Sequence, residues 1–211
     1  MVETKMNFYL RQVINKKNQK KLHNHDFTLI CNNCNGGFLY HDLSLKFCSP
    51  FINLWLTPKD FIKYLQDVNF YSTQELIFVK EEGIDYPVAY LGDIKIYFMH
   101  YKTEKEAKAK WEERSSRMNF DNAYILFIEN EYTTEQDLID FDQLPFENKV
   151  VFVHQNHPEI KCAFKMTGHE NDDSFGGYYR YLNNHTGKKY YDEFDYVSWF
   201  NHDLKILSKE G

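Results

Sequence analysis

No stretch of this 211-residue sequence is apolar over the roughly 20 residues that a membrane-crossing helix requires. The first residues hold no continuous apolar core followed by a small-residue cleavage site, so no secretory leader is expected. Positive charge is in deficit: 25 Lys and Arg stand against 31 Asp and Glu, a net of −6. That balance argues against general nucleic-acid binding, because affinity for a polyphosphate backbone needs a basic surface. Cysteine is sparse, with Cys31, Cys34, Cys48 and Cys162 alone. In the cytoplasmic location that these absences imply, the four are expected as reduced thiols and not as a disulfide framework. Internal repeats and low-complexity linkers are also missing.

What is present is enough for one substantial core. Hydrophobic residues make up 43% of the chain and aromatics 18%, which suits a single globular domain of this length. Aromatics in that number either fill the core or line a carbohydrate or nucleobase site. The pattern predicts an N-terminal helix within residues 1–25 and one α/β domain over 26–211. Residues 1–22 read as an amphipathic helix with Phe8, Leu10, Val13 and Ile14 inward. Its run Lys16-Lys17-Asn18-Gln19-Lys20-Lys21 is either a solvated face or a contact for anionic lipid or another polyanion.

Farther along, strands are expected at 26–31, Phe51–Leu56, Leu76–Val79, Val88–Leu91, Ile94–Tyr101, Ala123–Ile128, Val150–His154 and Ile160–Lys165. Helices are expected at 38–46, at Pro58–Val68 behind a Thr57 cap, at 103–118 behind a Thr103/Glu106 capping box, and from Thr133/Thr134 to about Phe141. Residues 168–189 have loop composition with a turn at Gly176-Gly177, and Asp195–Ser208 reads as a closing helix. Alternation of strand and helix implies a three-layer α/β/α fold with a largely parallel or mixed central sheet.

The most informative segment is FTLICNNCNGGFLYHDLSLKFCSPFIN, residues 27–53. A strand breaks into a turn holding Asn32, Asn33, Cys34, Gly36 and Gly37, then a helix follows. Ligands of open α/β sheets bind at such carboxyl ends. Cys34 at a helix start is either a nucleophile of lowered pKa, with Asn32 and Asn33 stabilising an oxyanion, or a small residue in a close-packed turn. His41 is its possible base beside Asp42, or half of an exposed pair. His100, ending its strand, is a second candidate base or a strand-end hydrogen-bonding group. Arg114 and Arg117, with Asn119 following, either complement a helix C-terminus or clamp phosphate or carboxylate. Cys31 and Cys34 lack the second ligand pair of a zinc site, and no Asp-x-Asp stands at a strand end, so no metal set is expected. Asp172-Asp173 reads as solvated loop charge.

Three blocks together resemble a bacterial family described as exopolysaccharide biosynthesis proteins: ICNNCNGGFLYHDLSLKFCSPFINLWL, YPVAYLGDIKIYFMHYKTEKEAKAKWEERSSRMNFDNAYILF and KKYYDEFDYVSWFN. The matching positions are Asn32, Asn33, Cys34, Gly36, Gly37, Ser49, Pro50, His100, Arg114, Arg117 and Asn119, while Asn35 stands where relatives are expected to carry an aromatic. Over a few residues the Asn-Cys turn is also similar to acetyltransferases of capsule biosynthesis. The resemblance implies a transferase in surface-polysaccharide assembly and names no cofactor. Acyl transfer through Cys34 is one reading. A metal-independent glycosyltransferase binding a nucleotide-sugar is another, and a non-catalytic partner of the assembly enzymes a third.

Overall fold

The computed structural model describes residues 5–168 and 177–204. Its centre is a four-stranded, wholly parallel sheet of order β1(Thr28–Cys31), β5(Ala123–Ile128), β6(Lys149–Val153), β7(Ala163–Lys165). A second, antiparallel sheet runs β2(Leu76–Val79), β3(Val88–Leu91), β4(Ile94–Tyr97). The α/β class and its layering follow from the strands. Successive side chains point to opposite faces, and β5, buried throughout, sends Ile125 and Phe127 one way and Tyr124, Leu126 and Ile128 the other.

The first face carries α3(Pro58–Gln66), α5(Glu104–Ser115), α6(Glu135–Asp142) and the antiparallel sheet, meeting through Phe61, Leu65, Trp111, Leu138 and Phe141. The second carries α2(Asn35–Asp42), α7(Tyr196–Phe200) and the C-terminal segment, through Leu39, Tyr40, Trp199 and Phe200. The short α4(Val68–Ser72) follows α3. The helix starts behave as the sequence predicts. Thr57 accepts from the Asp60 N–H, and Thr134 and Asp137 form a full capping box. Thr103 caps α5, but the Glu106 carboxylate reaches Lys102 N, so the second half of that box is displaced by one residue.

Several expectations need correction. Phe51–Leu56 is irregular, tied to β4 by one isolated bridge, Trp55 to Tyr97. Phe51, Ile52, Leu54 and Leu56 are inward because the segment is buried, not because it is a strand. The Ile94 strand stops at Tyr97, and it lies in the antiparallel sheet, not the parallel one. The closing helix ends at Phe200; Leu207 and Ser208 lie outside the described residues, as do Asp172, Asp173 and Gly176.

The largest reversal is α1(Lys5–Lys21). Its buried residues are Asn7, Arg11 and Asn15, whereas Phe8 and Val13 are exposed. Spacing of four places Asn7, Arg11 and Asn15 on one helical stripe, and that polar stripe faces the body. Arg11 donates to Asp42 from Nε at 3.1 Å and from a terminal nitrogen at 2.8 Å, and pairs with Asp192 at 2.5 Å. Asp42 also accepts from Asn15 at 2.9 Å, Lys189 at 2.8 Å and the Tyr191 hydroxyl. Two cations and two carboxylates thus cancel in a nearly dry layer, the condition under which buried charge is tolerated.

Candidate functional site

The carboxyl edge of the parallel sheet is built around Asn32. Fully buried, it continues β1 past its last pair: its amide donates to Ile128 O and accepts from Ile128 N, both at 2.9 Å. Its own carbonyl accepts from Leu56 N at 3.4 Å, drawing the 50–57 segment over the strand end. Asn33 takes the turn's inner hydrogen bonds, accepting from the Asn35 backbone N–H at 3.0 Å and from the Cys31 thiol at 3.6 Å. Gly36 sits so close to the strand that a Cβ there would lie 2.8 Å from Cys31 Cβ. Only glycine lets α2 start this near β1.

Cys34 is half-buried, and burial pushes its thiol pKa up. Cys31, beneath it, is driven to about 12 by the same cause. The shift is opposite in direction to the lowering expected for a thiol at a helix start, and its cause is desolvation.

The other sequence-derived residues distribute unevenly. A Cβ on Gly37 would stand 3.5 Å from Ile52 and 4.0 Å from Asn53 Oδ1, and Asn53 O accepts from His100 N at 3.4 Å. Tyr101 donates to Ile52 O at 2.9 Å, and Arg114 donates to Tyr101 Oη at 2.5 Å. Burial above all raises the Tyr101 pKa, Arg114 pulls it down, and Cys34 adds a smaller upward push. The structure therefore links Gly37, His100 and Arg114 through the 51–53 segment. Arg114 is buried beneath that segment, its guanidinium over the Phe47 ring. His100 itself is exposed and follows an antiparallel strand.

His41 is not brought to Cys34: it stands two helical turns along α2, roughly 10 Å at 1.5 Å per residue, with its side chain 78% exposed. Ser49 is buried and accepts from Phe51 N at 3.2 Å. Arg117 donates to Phe47 O at 3.1 Å and pairs with Glu113. Asn119 N donates to Thr28 Oγ1 at 2.7 Å, at the amino end of β1 and so across the sheet from the turn.

Four residues that the sequence reading passed over complete the carboxyl edge. Glu129 and His154 directly follow β5 and β6. One oxygen of the buried Glu129 carboxylate accepts from His154 N at 2.9 Å and from His154 Nδ1 at 2.7 Å. A carboxylate on Nδ1 fixes the tautomer whose Nε2 is the basic nitrogen. In the loop after β5, Asn130 Oδ1 accepts from Tyr132 N at 2.9 Å and so projects the Tyr132 ring, 62% exposed. Tyr132 and Trp55, ring centres 6.0 Å apart, wall an open cleft of about 510 Å³ with Thr57, Lys59 and Asp137 at its margin. The available signal was positional: Glu129 and His154 are the first polar residues after the two most apolar runs. Among the described residues no three His, Cys, Asp or Glu side chains gather as a metal set.

A model of the family described as a domain of unknown function, DUF1919, matches residues 5–201. An uncharacterized protein of Haemophilus influenzae is 47% identical over 201 residues, covering 95% of this chain and 97% of that protein. Both spans include the turn at Asn32, the Glu129–His154 pair and the Trp55–Tyr132 cleft, and on them the chain belongs to the DUF1919 family.

Proposed function

We propose that this protein is a transferase acting on a saccharide in bacterial exopolysaccharide biosynthesis, with its site at the carboxyl edge of the parallel sheet. The reading is carried by the Trp55–Tyr132 cleft, taken with the buried Glu129 carboxylate that holds His154 at the ends of β5 and β6. Aromatic faces suit the C–H faces of a sugar ring, with polar groups at the rim setting orientation. In this reading His154 takes the proton of an acceptor hydroxyl as that oxygen bonds to the donor's anomeric carbon. The bond from that carbon to the nucleotide diphosphate breaks with its electron pair going to the departing diphosphate oxygen, and Glu129 holds the imidazolium that forms. The resemblance in the turn, Arg114 and tryptophan blocks supports the polysaccharide setting.

Of the two chemistries, direct sugar transfer from a nucleotide-sugar is favoured over acyl transfer through Cys34. Burial raises the Cys34 thiol pKa and so disfavours the thiolate that a thiol nucleophile needs. The test is a thermal-shift panel of nucleotide-sugars, acyl-coenzyme A and phosphosugars on the wild type, Tyr132→Ala and Cys34→Ala. A shift with a nucleotide-sugar that Tyr132→Ala loses and Cys34→Ala keeps supports the reading. An acyl-coenzyme A shift that disappears with Cys34→Ala moves the assignment to acyl transfer. No shift with any ligand overturns both and favours a non-catalytic partner.

A further inference from the structure

The buried polar stripe of α1 has a counterpart outside. With Asn7, Arg11 and Asn15 locked inward, the outer stripe of the first two turns is apolar: Met6 is 58% exposed, Tyr9 69% and Val13 65%, and Phe8 flanks them at 51%. Phe8 and Tyr9 meet edge to face, ring centres 6.0 Å apart. Continuing along the axis, the same outer side carries exposed Lys16, Lys17 and Lys20. The helix contains no acidic residue, in a chain whose net charge is −6. Four large apolar side chains on one short exposed stretch cost solvation unless something covers them. Their continuation into lysines states the charge of the cover.

We infer that α1 is a peripheral membrane-docking helix that lays its outer face on an anionic lipid surface. Met6, Tyr9 and Val13 enter the boundary between headgroups and acyl chains, while the lysines contact headgroup phosphates, the combination by which interfacial helices bind. A soluble polyanion would use the lysines and leave the aromatics in water, so the apolar half selects the lipid surface. The inward lock makes this possible: the Arg11–Asp42–Asp192 layer fixes the rotation of the helix about its own axis, so the apolar stripe cannot turn in to the core. No helix among the described residues is long and apolar enough to span a bilayer, and the docking proposed is reversible. The inference stands independently of the transferase reading.

The experiment is co-sedimentation of the full chain with large vesicles of phosphatidylcholine alone or with one third phosphatidylglycerol. Two surface variants are compared, Tyr9→Asp/Val13→Asp and Lys16→Glu/Lys17→Glu/Lys20→Glu. Circular dichroism checks that each folds, as expected for exposed positions. Binding is expected only to the anionic vesicles. A lysine at such a surface contributes about fivefold, so the triple reversal is expected to lower partitioning a hundredfold or more. The double aspartate variant is expected to lower it at least tenfold. Absence of binding to anionic vesicles at low salt overturns the inference. So does loss with the lysine variant alone, which would signify a polyanion contact, or a vesicle-free dimer that the aspartate variant dissociates, which would make a second copy the cover.

Discussion

Arg11 offers the sharpest test of how this fold is held together. It spans Asp42 on α2 and Asp192 near the C-terminal segment, joining three regions distant in sequence. Burial alone would lower its pKa; Tyr191, Asp192 and Asp42 more than offset that, so the net shift is upward and the guanidinium stays charged. Removing it leaves two buried carboxylates with Lys189 as their cation, and breaking a buried pair in this way costs about 3–5 kcal/mol. At roughly 2–4 °C per kcal/mol for a domain of this size, Arg11→Ala is expected to lower Tm by about 6–20 °C. Arg11→Lys should recover part of the loss, since it keeps the charge without the fork.

The pH dependence gives an independent check. Burial pushes the Asp42 pKa up, but Arg11 and Lys189 pull it down harder, from 3.8 to about 2. A depressed carboxyl contributes stability in full above its unfolded pKa and loses it as pH falls through the folded value. Between pH 4 and pH 2 the wild type should therefore lose about 2 kcal/mol through this group. Asp42→Asn, already weaker at pH 7, should lack that step. Urea unfolding monitored by tryptophan fluorescence reads both effects. An Arg11→Ala protein within 1 °C of wild type, or an unchanged acid step in Asp42→Asn, would refute the claim that this layer anchors α1.

Two further outcomes test the carboxyl edge. Asn32→Ala removes both bonds to Ile128 and leaves that backbone pair buried without partners, at a cost of about 1–3 kcal/mol for each unsatisfied group; a urea midpoint unchanged from wild type would contradict the clamp. Alkylation of Cys34 by iodoacetamide at pH 7 should run slower than that of free cysteine, because its thiol pKa is raised, and should accelerate as pH rises. Rapid labelling at pH 7, mapped by mass spectrometry, would restore the thiolate nucleophile.

Much of the local structure was legible without coordinates. The runs LIFV, VAYL and AYILFI announce β2, β3 and β5 by β-branched and aromatic density, and Thr57-Pro58 and Thr134 announce helix starts by cap chemistry. The turn after β1 was visible as a polar, glycine-bearing break, and Gly36 occupies it for a reason the sequence hinted at but could not measure. Phe51–Leu56 misled because burial of an irregular segment selects the same side chains as a strand. The inner face of α1 misled because a hydrophobic count assumes that burial means apolar, whereas Asn7, Arg11 and Asn15 are buried by virtue of partners 27 to 185 positions away.

By itself, then, the sequence determined the order and type of most elements, since caps and strand periodicity act within a few residues. Tertiary structure alone decided which charges cancel, which thiol is desolvated, and which strand ends share an edge. Those depend on neighbours brought together by chain folding, and no local pattern encodes the approach of Asp42 to Arg11, of His154 to Glu129, or of Tyr132 to Trp55.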